Sequence, residues 1–163
     1  MAQKATEKSP DDTQTESRKL VMPDQINGGG TLFGGQMMAW IDKLAAMTAQ
    51  RHAESNVVTA SIDQINFLAP VYKGDHVIMK GRVVYVGRSS MEIRVDVEAV
   101  NPIKGTSHKT TQAFLTFVAL DDNGKPRPVP RLKLENEKDK EAFGFAKERI
   151  QIRKDWAKKG KFV

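Results

Sequence analysis

Residues 27–42 read Asn-Gly-Gly-Gly-Thr-Leu-Phe-Gly-Gly-Gln-Met-Met-Ala-Trp-Ile-Asp. The stretch begins as a loop too rich in glycine for regular structure. It then passes through Gly34-Gly35 into an alanine-rich apolar helix predicted to run to about His52. Five glycines in eight positions (28, 29, 30, 34 and 35) let the backbone take positive φ or approach another group closely. A helix starting directly after such a loop aims its free N–H groups and the positive end of its dipole at whatever lies there. That end suits a phosphate, a carboxylate or a developing oxyanion. Asp42 follows Gly35 by seven residues, close to the ~7.2 of two helical turns, so it shares the azimuth of the helix start ~10 Å further along.

Around Asp42, Met37, Met38, Trp40, Ile41, Leu44, Ala45, Ala46 and Met47 make the helix apolar nearly all round, which predicts burial. A carboxylate on a buried helix is costly without a partner or a task. The residues alone leave two readings of Asp42 open, a capping or solvated residue and a functional carboxylate.

The spacing Asn-x-x-Gly-x-x-x-Gly-Gly-x-x-Met-x-x-x-Asp, preceded by Met22-Pro23-Asp24, resembles the signature of the hotdog-fold acyl-CoA hydrolase (acyl-CoA thioesterase) family, bacterial or cytosolic type. The resemblance continues through Val57-Val58-Thr59-Ala60, Asp63, Phe67, Pro70, Gly74-Asp75, Val86-Gly87-Arg88-Ser89-Ser90 and Gly124-x-Pro126-x-x-Val129-Pro130. It spans roughly residues 17 to 131. Where many hotdog thioesterases carry His before Gly-Gly, this chain has Phe33, which removes His as an acid or base at that point.

The resemblance implies an α+β fold, a single hotdog domain with a long central helix wrapped by a curved antiparallel sheet. It implies hydrolysis of acyl-CoA thioesters to a free carboxylic (fatty) acid and coenzyme A. Asn27 and Asp42 become the catalytic pair, brought to one site by two different subunits. Asp42 is the general base or a direct nucleophile, and the Gly35 N–H polarises the thioester carbonyl. Thr59, Gly87, Arg88, Ser89 and Ser90 are implied to bind coenzyme A. A homodimer follows, assembled further as a trimer of dimers. The alternative is a hotdog protein that binds or senses acyl-CoA without cleaving it. For the acyl chain, Met37, Met38, Trp40 and Phe67 are plausible lining.

Composition bounds the rest. The chain has 163 residues, enough for one domain with tails. It has no cysteine, which excludes disulfides and a cysteine nucleophile and fits a reducing compartment. Three His (52, 76 and 108), spread apart, do not make a metal cluster. No cofactor is expected beyond the coenzyme A of substrate and product. No apolar run approaches the ~20 residues of a membrane span, and no signal-like apolar core precedes the domain, so a cytoplasmic protein is expected. The net charge is +6. From Arg131 onward eleven Lys/Arg face six Asp/Glu, so the excess lies in a tail and argues against a nucleic-acid partner.

Along the chain, residues 1–16 are polar and read as a disordered tail. Strands are predicted over 18–22, 57–68 (with a bulge near Asp63-Gln64, because Ile62, Ile65 and Phe67 do not share parity), 77–86, 91–100 and 107–120. In Met91 to Val100, apolar residues alternate with Glu92, Arg94, Asp96 and Glu98, a half-buried antiparallel strand. Residues 132–163 form a charged extension of good helix formers. Phe145, Ile152 and Trp156 share one helical face, expected to dock on the body or on a neighbouring subunit.

Overall fold

The computed structural model describes residues 6–160. In chain order the elements are β1 (Glu7–Lys8), α1 (Pro10–Thr13), β2 (Thr15–Leu20), α2 (Gly34–Ala53), β3 (Asn56–Phe67), β4 (His76–Val86), β5 (Ser90–Asn101), β6 (Thr106–Leu120), β7 (Arg131–Leu132) and α3 (Glu137–Lys158). Five strands form one antiparallel sheet in the order β2-β4-β5-β6-β3, and β1 pairs in parallel with β7. The expected α+β hotdog architecture is present: α2 lies along one face of the sheet.

The alternation in β5 builds the core. Met91, Ile93, Val95, Val97 and Ala99 are all buried and pack under Met37, Ile41, Leu44, Ala45 and Ala49 of α2. The bulge near Asp63 is real, since the β3–β6 register shifts between Ile62 and Gln64, and a second shift falls between Thr59 and Ser61. These two irregularities turn Ser61 and Asp63 toward the face opposite α2 while Thr59 keeps facing it.

Gly81 lies inside β4 because α2 comes down on it. A Cβ there would collide with Thr48 Oγ1, which donates to Leu44 O at 2.9 Å and accepts from Thr15 Oγ1. Glycine at this position therefore serves the close approach of helix and sheet. At the far end of α2, His52 Nε2 donates to Pro130 O at 2.9 Å. Burial pushes its pKa down, so the ring is held neutral with the proton on Nε2.

Several expectations need correction. Residues 6–16 are ordered and belong to the body; residues 1–5 of the expected disordered tail lie outside the described residues. Ser9 caps α1 in a reciprocal box with Asp12, Ser9 and Thr13 are buried, and β1 is tied to β7 by Arg131 N–H to Thr6 O at 2.9 Å. A polar composition conceals this because the stabilising partners are backbone and cap groups. The central helix is not covered all round: Met38 and Met47 are exposed.

The C-terminal extension is helical as expected, but the face it docks on the chain's own body is another one. Asp139, Phe143, Ala146, Arg149 and Arg153 turn toward the sheet, while Phe145, Ile152 and Trp156 are half exposed. Glu92, expected on the solvent side, is buried beneath α3 with Arg149 Nη2 at 2.5 Å. Residues 161–163 lie outside the described residues.

Candidate active site

The loop before α2 is organised by Asn27. Its Oδ1 accepts from the N–H groups of Gly29 (2.9 Å) and Thr31 (3.1 Å), and its Nδ2 donates to Thr31 Oγ1 (3.0 Å). Gly30, at φ 81°, completes the turn by donating to Asn27 O at 3.0 Å. Leu32 N–H to Val71 O (2.7 Å) and Phe33 N–H to Gln25 O (2.9 Å) pin the exit from both sides. The glycine loop is therefore a fixed turn, with Asn27 exposed at its base.

α2 then begins without a side-chain cap, because its N-cap residue is Phe33. Gln36 and Met37 turn their N–H groups back to Phe33 O, at 3.0 and 3.2 Å. Among the described residues, no hydrogen bond is made by the N–H groups of Gly34 and Gly35. They point out of the positive end of a 20-residue helix. The Phe33 ring folds over Gly35, where a Cβ would collide with it, and Phe67 Cζ lies 3.6 Å from where a Cβ of Gly34 would be. Beside this helix start is a cavity of about 370 Å³, lined by Leu32, Gly34, Met37, Phe67, Leu68 and Val71 among others. Of the four expected lining residues, Met37 and Phe67 are here. Trp40 is buried in the core and Met38 is exposed.

Two turns along α2, Asp42 is partly buried and accepts a hydrogen bond from Thr59 Oγ1 on β3, at 2.8 Å to Oδ1. Thr59, expected among substrate-binding residues, thus fixes the carboxylate and leaves Oδ2 available to a ligand or water. Within one chain Asn27 and Asp42 are not joined: among the described residues every hydrogen bond of the Asn27 side chain runs to Gly29 or Thr31.

The β4–β5 turn carries the remaining expected residues. Gly87 N–H donates to Ser90 O at 2.8 Å, and a Cβ on Gly87 would lie 2.7 Å from Ser90 Oγ. Ser89 O accepts from Ala119 N–H and Arg88 O from Val129 N–H, so the turn is bound to β6 and to the segment before β7. In the sheet register Thr59 pairs with Phe117, Phe117 with Met91 and Met91 with Val86. The turn therefore begins in the row that contains Thr59. Two strand spacings, about 10 Å, separate that row's β3 and β5 members.

Asp42, Thr59 and the turn are thus brought to one end of the sheet. Among the described residues no group of three His, Asp or Glu side chains is placed to hold a metal ion.

A profile described as "Thioesterase superfamily" matches residues 29–106. An uncharacterized acyl-CoA thioester hydrolase of Bacillus subtilis (strain 168), YkhA, is 42% identical over 135 residues, spanning 83% of this chain and 78% of that one. The chain belongs to the thioesterase superfamily. The solved folds agree with this membership. An apo-hexameric acyl-CoA thioesterase superposes with a TM-score of 0.90 at 41% identity, covering 93% of this chain and 97% of its own. The acyl-CoA hydrolase of Staphylococcus aureus, in complex with butyryl coenzyme A, coenzyme A and coenzyme A disulfide, superposes at 0.87 with 37% identity, covering 95% and 94%.

Against the thioesterase family pattern, sequence reasoning missed the Phe33 ring over the helix start and the arrival of α3 beside the β4–β5 turn. The first had no signal beyond the absent His. The second has a signal in the helical spacing of Ala146, Arg149, Ile150 and Arg153, which competes with the more apolar face of Phe145, Ile152 and Trp156.

Proposed function

We propose that this protein hydrolyses acyl-CoA thioesters to a free fatty acid and coenzyme A at sites shared between two subunits. The observation that carries the reading is the pairing of a carboxylate held by a neutral hydroxyl (Asp42 and Thr59) with an uncapped helix start at Gly34-Gly35. A thioester hydrolase needs both: a base for water and a place for the oxyanion. Asp42 Oδ2 takes a proton from water as its oxygen attacks the thioester carbonyl carbon. The Gly35 N–H of the subunit facing that Asp42, ~10 Å from its own chain's Asp42, holds the developing oxyanion. Collapse breaks the C–S bond, and the thiolate recovers the proton from Asp42. Asn27 cannot titrate, and its role is to orient the water or the carbonyl through its amide.

Hydrolysis transfers no electrons and needs no cofactor. Asn27 and Asp42 meet across a homodimer, three of which form a hexamer; the hexameric relative supports this. β3, an edge strand with exposed Val58 and Ile62, offers an edge for pairing. Support for the residues comes from the Staphylococcus aureus hydrolase. Its structure has been solved with alanine replacing an Asn, an Asp and a Thr that have the sequence spacing of Asn27, Asp42 and Thr59. The absence of cysteine fits a cytoplasmic setting.

The test is release of coenzyme A thiol from a panel of short to long acyl-CoAs by wild type and Asp42→Ala. A fall of about 10³-fold or more in the variant, with its oligomer intact, supports the assignment of Asp42. Equal turnover by both proteins would keep the reaction and reject Asp42 as its base. No turnover by wild type on any chain length would reject the hydrolase reading.

A further inference from the structure

Asp75 is a buried carboxylate that the chemistry above does not use: it is 2% exposed, and among the described residues no cation pairs with it. Burying such a group is costly unless its oxygens are satisfied. Both are. Oδ2 accepts from the Tyr72 N–H at 2.9 Å, and Oδ1 accepts from Asn101 Nδ2 at 3.3 Å. Asn101 ends β5 and is itself fixed, because its Oδ1 accepts from the N–H groups of Ile103 (3.1 Å) and Lys104 (2.9 Å). Asp75 N–H donates to Tyr72 O at 3.1 Å, so Asp75 closes the turn 72–75 with both its side chain and its backbone and ties it to the end of a strand. A carboxylate has two acceptor oxygens and no donor, which matches the two donors that converge here.

That turn carries both stems of the loop that holds Asn27. On the incoming side, Val21 N–H donates to Asp75 O at 3.0 Å and Val21 O accepts from Gly74 N–H at 2.9 Å. On the outgoing side, Thr31 bridges to Tyr72, and Leu32 N–H donates to Val71 O at 2.7 Å. Thr31 is the residue that Asn27 grips with both ends of its amide, and Asn27 N–H donates to Thr31 O at 2.8 Å. The path from the Asp75 carboxylate to Thr31 runs through backbone alone, with no rotatable side chain to absorb a shift.

We propose that Asp75 is a positioning residue for the reaction: it fixes the turn on which Thr31 and Asn27 are set, and so the point from which the Asn27 amide orients water or carbonyl. This rests on the acyl-CoA reading above. Asp75 touches no reacting atom, and its effect comes through Asn27. A displacement of about 1 Å in a group that orients a reactant costs on the order of 10²-fold in rate, which gives a remote anchor leverage on kcat.

The test uses the full chain with Asp75→Ala, Asp75→Asn and, as a control with a similarly buried carboxylate on α3, Asp139→Ala. In coenzyme A release, kcat is expected to fall about tenfold to a hundredfold in Asp75→Ala while KM stays within about twofold. Asp75→Asn keeps an oxygen for the Tyr72 N–H and is expected to return kcat to within about threefold of wild type. Asp139→Ala is expected to hold kcat. In the Asn27→Ala background, Asp75→Ala is expected to cause no further loss, because the group through which it acts is gone. Hydrogen exchange followed by mass spectrometry is expected to quicken about tenfold over residues 27–33 in Asp75→Ala and to hold in the middle of α2. A loss of kcat that adds to that of Asn27→Ala, or one that Asp139→Ala matches, overturns the proposal, and so does unchanged exchange over residues 27–33. If Asp75→Ala does not fold, Asp75→Ser takes its place under the same outcomes, since a hydroxyl fills the space without reaching both donors. If wild type hydrolyses no acyl-CoA, the hydrolase reading fails and exchange alone decides whether Asp75 positions Asn27: quickening confined to residues 27–33 upholds it, and unchanged exchange overturns it.

Discussion

Two helices cover the two faces of one sheet, and different forces hold them. α2 sits on the inner face through apolar packing: Ile41, Leu44, Ala45 and Ala49 are buried against Met91, Ile93, Val95 and Leu115. α3 crosses the outer face through charge. Arg149 reaches Glu92, Arg153 reaches Asp63, and Asp139, three residues after the N-cap Asn136, reaches Arg82 at 2.7 Å. Phe143 against Tyr85 (ring centroids 4.9 Å apart) and Arg149 over Phe114 (3.8 Å) supply the apolar part. Apolar packing places a backbone closely, as the contact of Thr48 with Gly81 shows, and so suits the helix that carries Asp42 and the Gly35 N–H. Ion pairs tolerate more solvent and leave charged groups at the margin of the outer face.

The comparison can be broken most severely from the inner face. Leu44→Ala is expected to cost about 3–5 kcal/mol of unfolding free energy, since the site is fully enclosed and cannot collapse, read from urea denaturation midpoints. On the outer face Arg149→Ala is expected to cost less, about 3 kcal/mol at neutral pH. Burial already pushes the Glu92 pKa up against the pull of Arg149, so the orphaned carboxyl can take a proton instead of remaining charged. Replacing both partners, Glu92→Leu with Arg149→Met, is expected to restore stability to near wild type. A double variant as unstable as the single one would show that the ion pair is itself the source of α3's attachment.

The two faces also titrate with opposite sign. Glu92 has a folded pKa above its ordinary 4.5, so the native state holds the extra proton. Its contribution to stability is present at low pH and is lost as pH rises from about 4.5 through the raised value. His52, at the end of α2, has a folded pKa below its ordinary 6.5. Its contribution is present above that pH and is lost as pH falls from 6.5 through the lowered value. Midpoints measured between pH 4 and 8 should lose the first slope in Glu92→Gln and the second in His52→Gln. The smallest effect is expected for Phe145→Ala. Its ring is half exposed on the face of α3 away from the sheet, so the change should stay within about 0.5 kcal/mol.

The inner half of this comparison was readable in advance. The alternation from Met91 to Ala99 is a pattern of one strand against one core, and the broken parity of Ile62, Ile65 and Phe67 is a bulge written in single residues. α2 is marked by glycines before it and an apolar run within it. The outer half was not readable, because alternation says which way Glu92 points but not what lies on top of it. The cover comes from Arg149, 57 residues away in sequence. The N-terminal segment was hidden for the same reason: β1 pairs with β7, more than a hundred residues on, through backbone groups that every sequence has. For the proposed site, Asn27 and Asp42 were expected only through the family resemblance that their motif carries; their residue types alone left a turn residue and a capping carboxylate open. The Thr59–Asp42 hydrogen bond and the Phe33 ring over Gly35 depend on tertiary placement that spacing does not encode.

The central claim is that Asn27 and Asp42 act in one site from two subunits, and subunit mixing tests it most directly. Asn27→Ala and Asp42→Ala are each expected to be nearly inactive on acyl-CoA. Co-refolded in equal amounts, they form mixed dimers in which one site receives Asn27 from one chain and Asp42 from the other. Coenzyme A release should return to about a quarter of the wild-type rate, given random pairing and one intact site per mixed dimer. Mixed oligomers, verified by differential tagging, that stay as inactive as the parents would contradict a site shared between subunits.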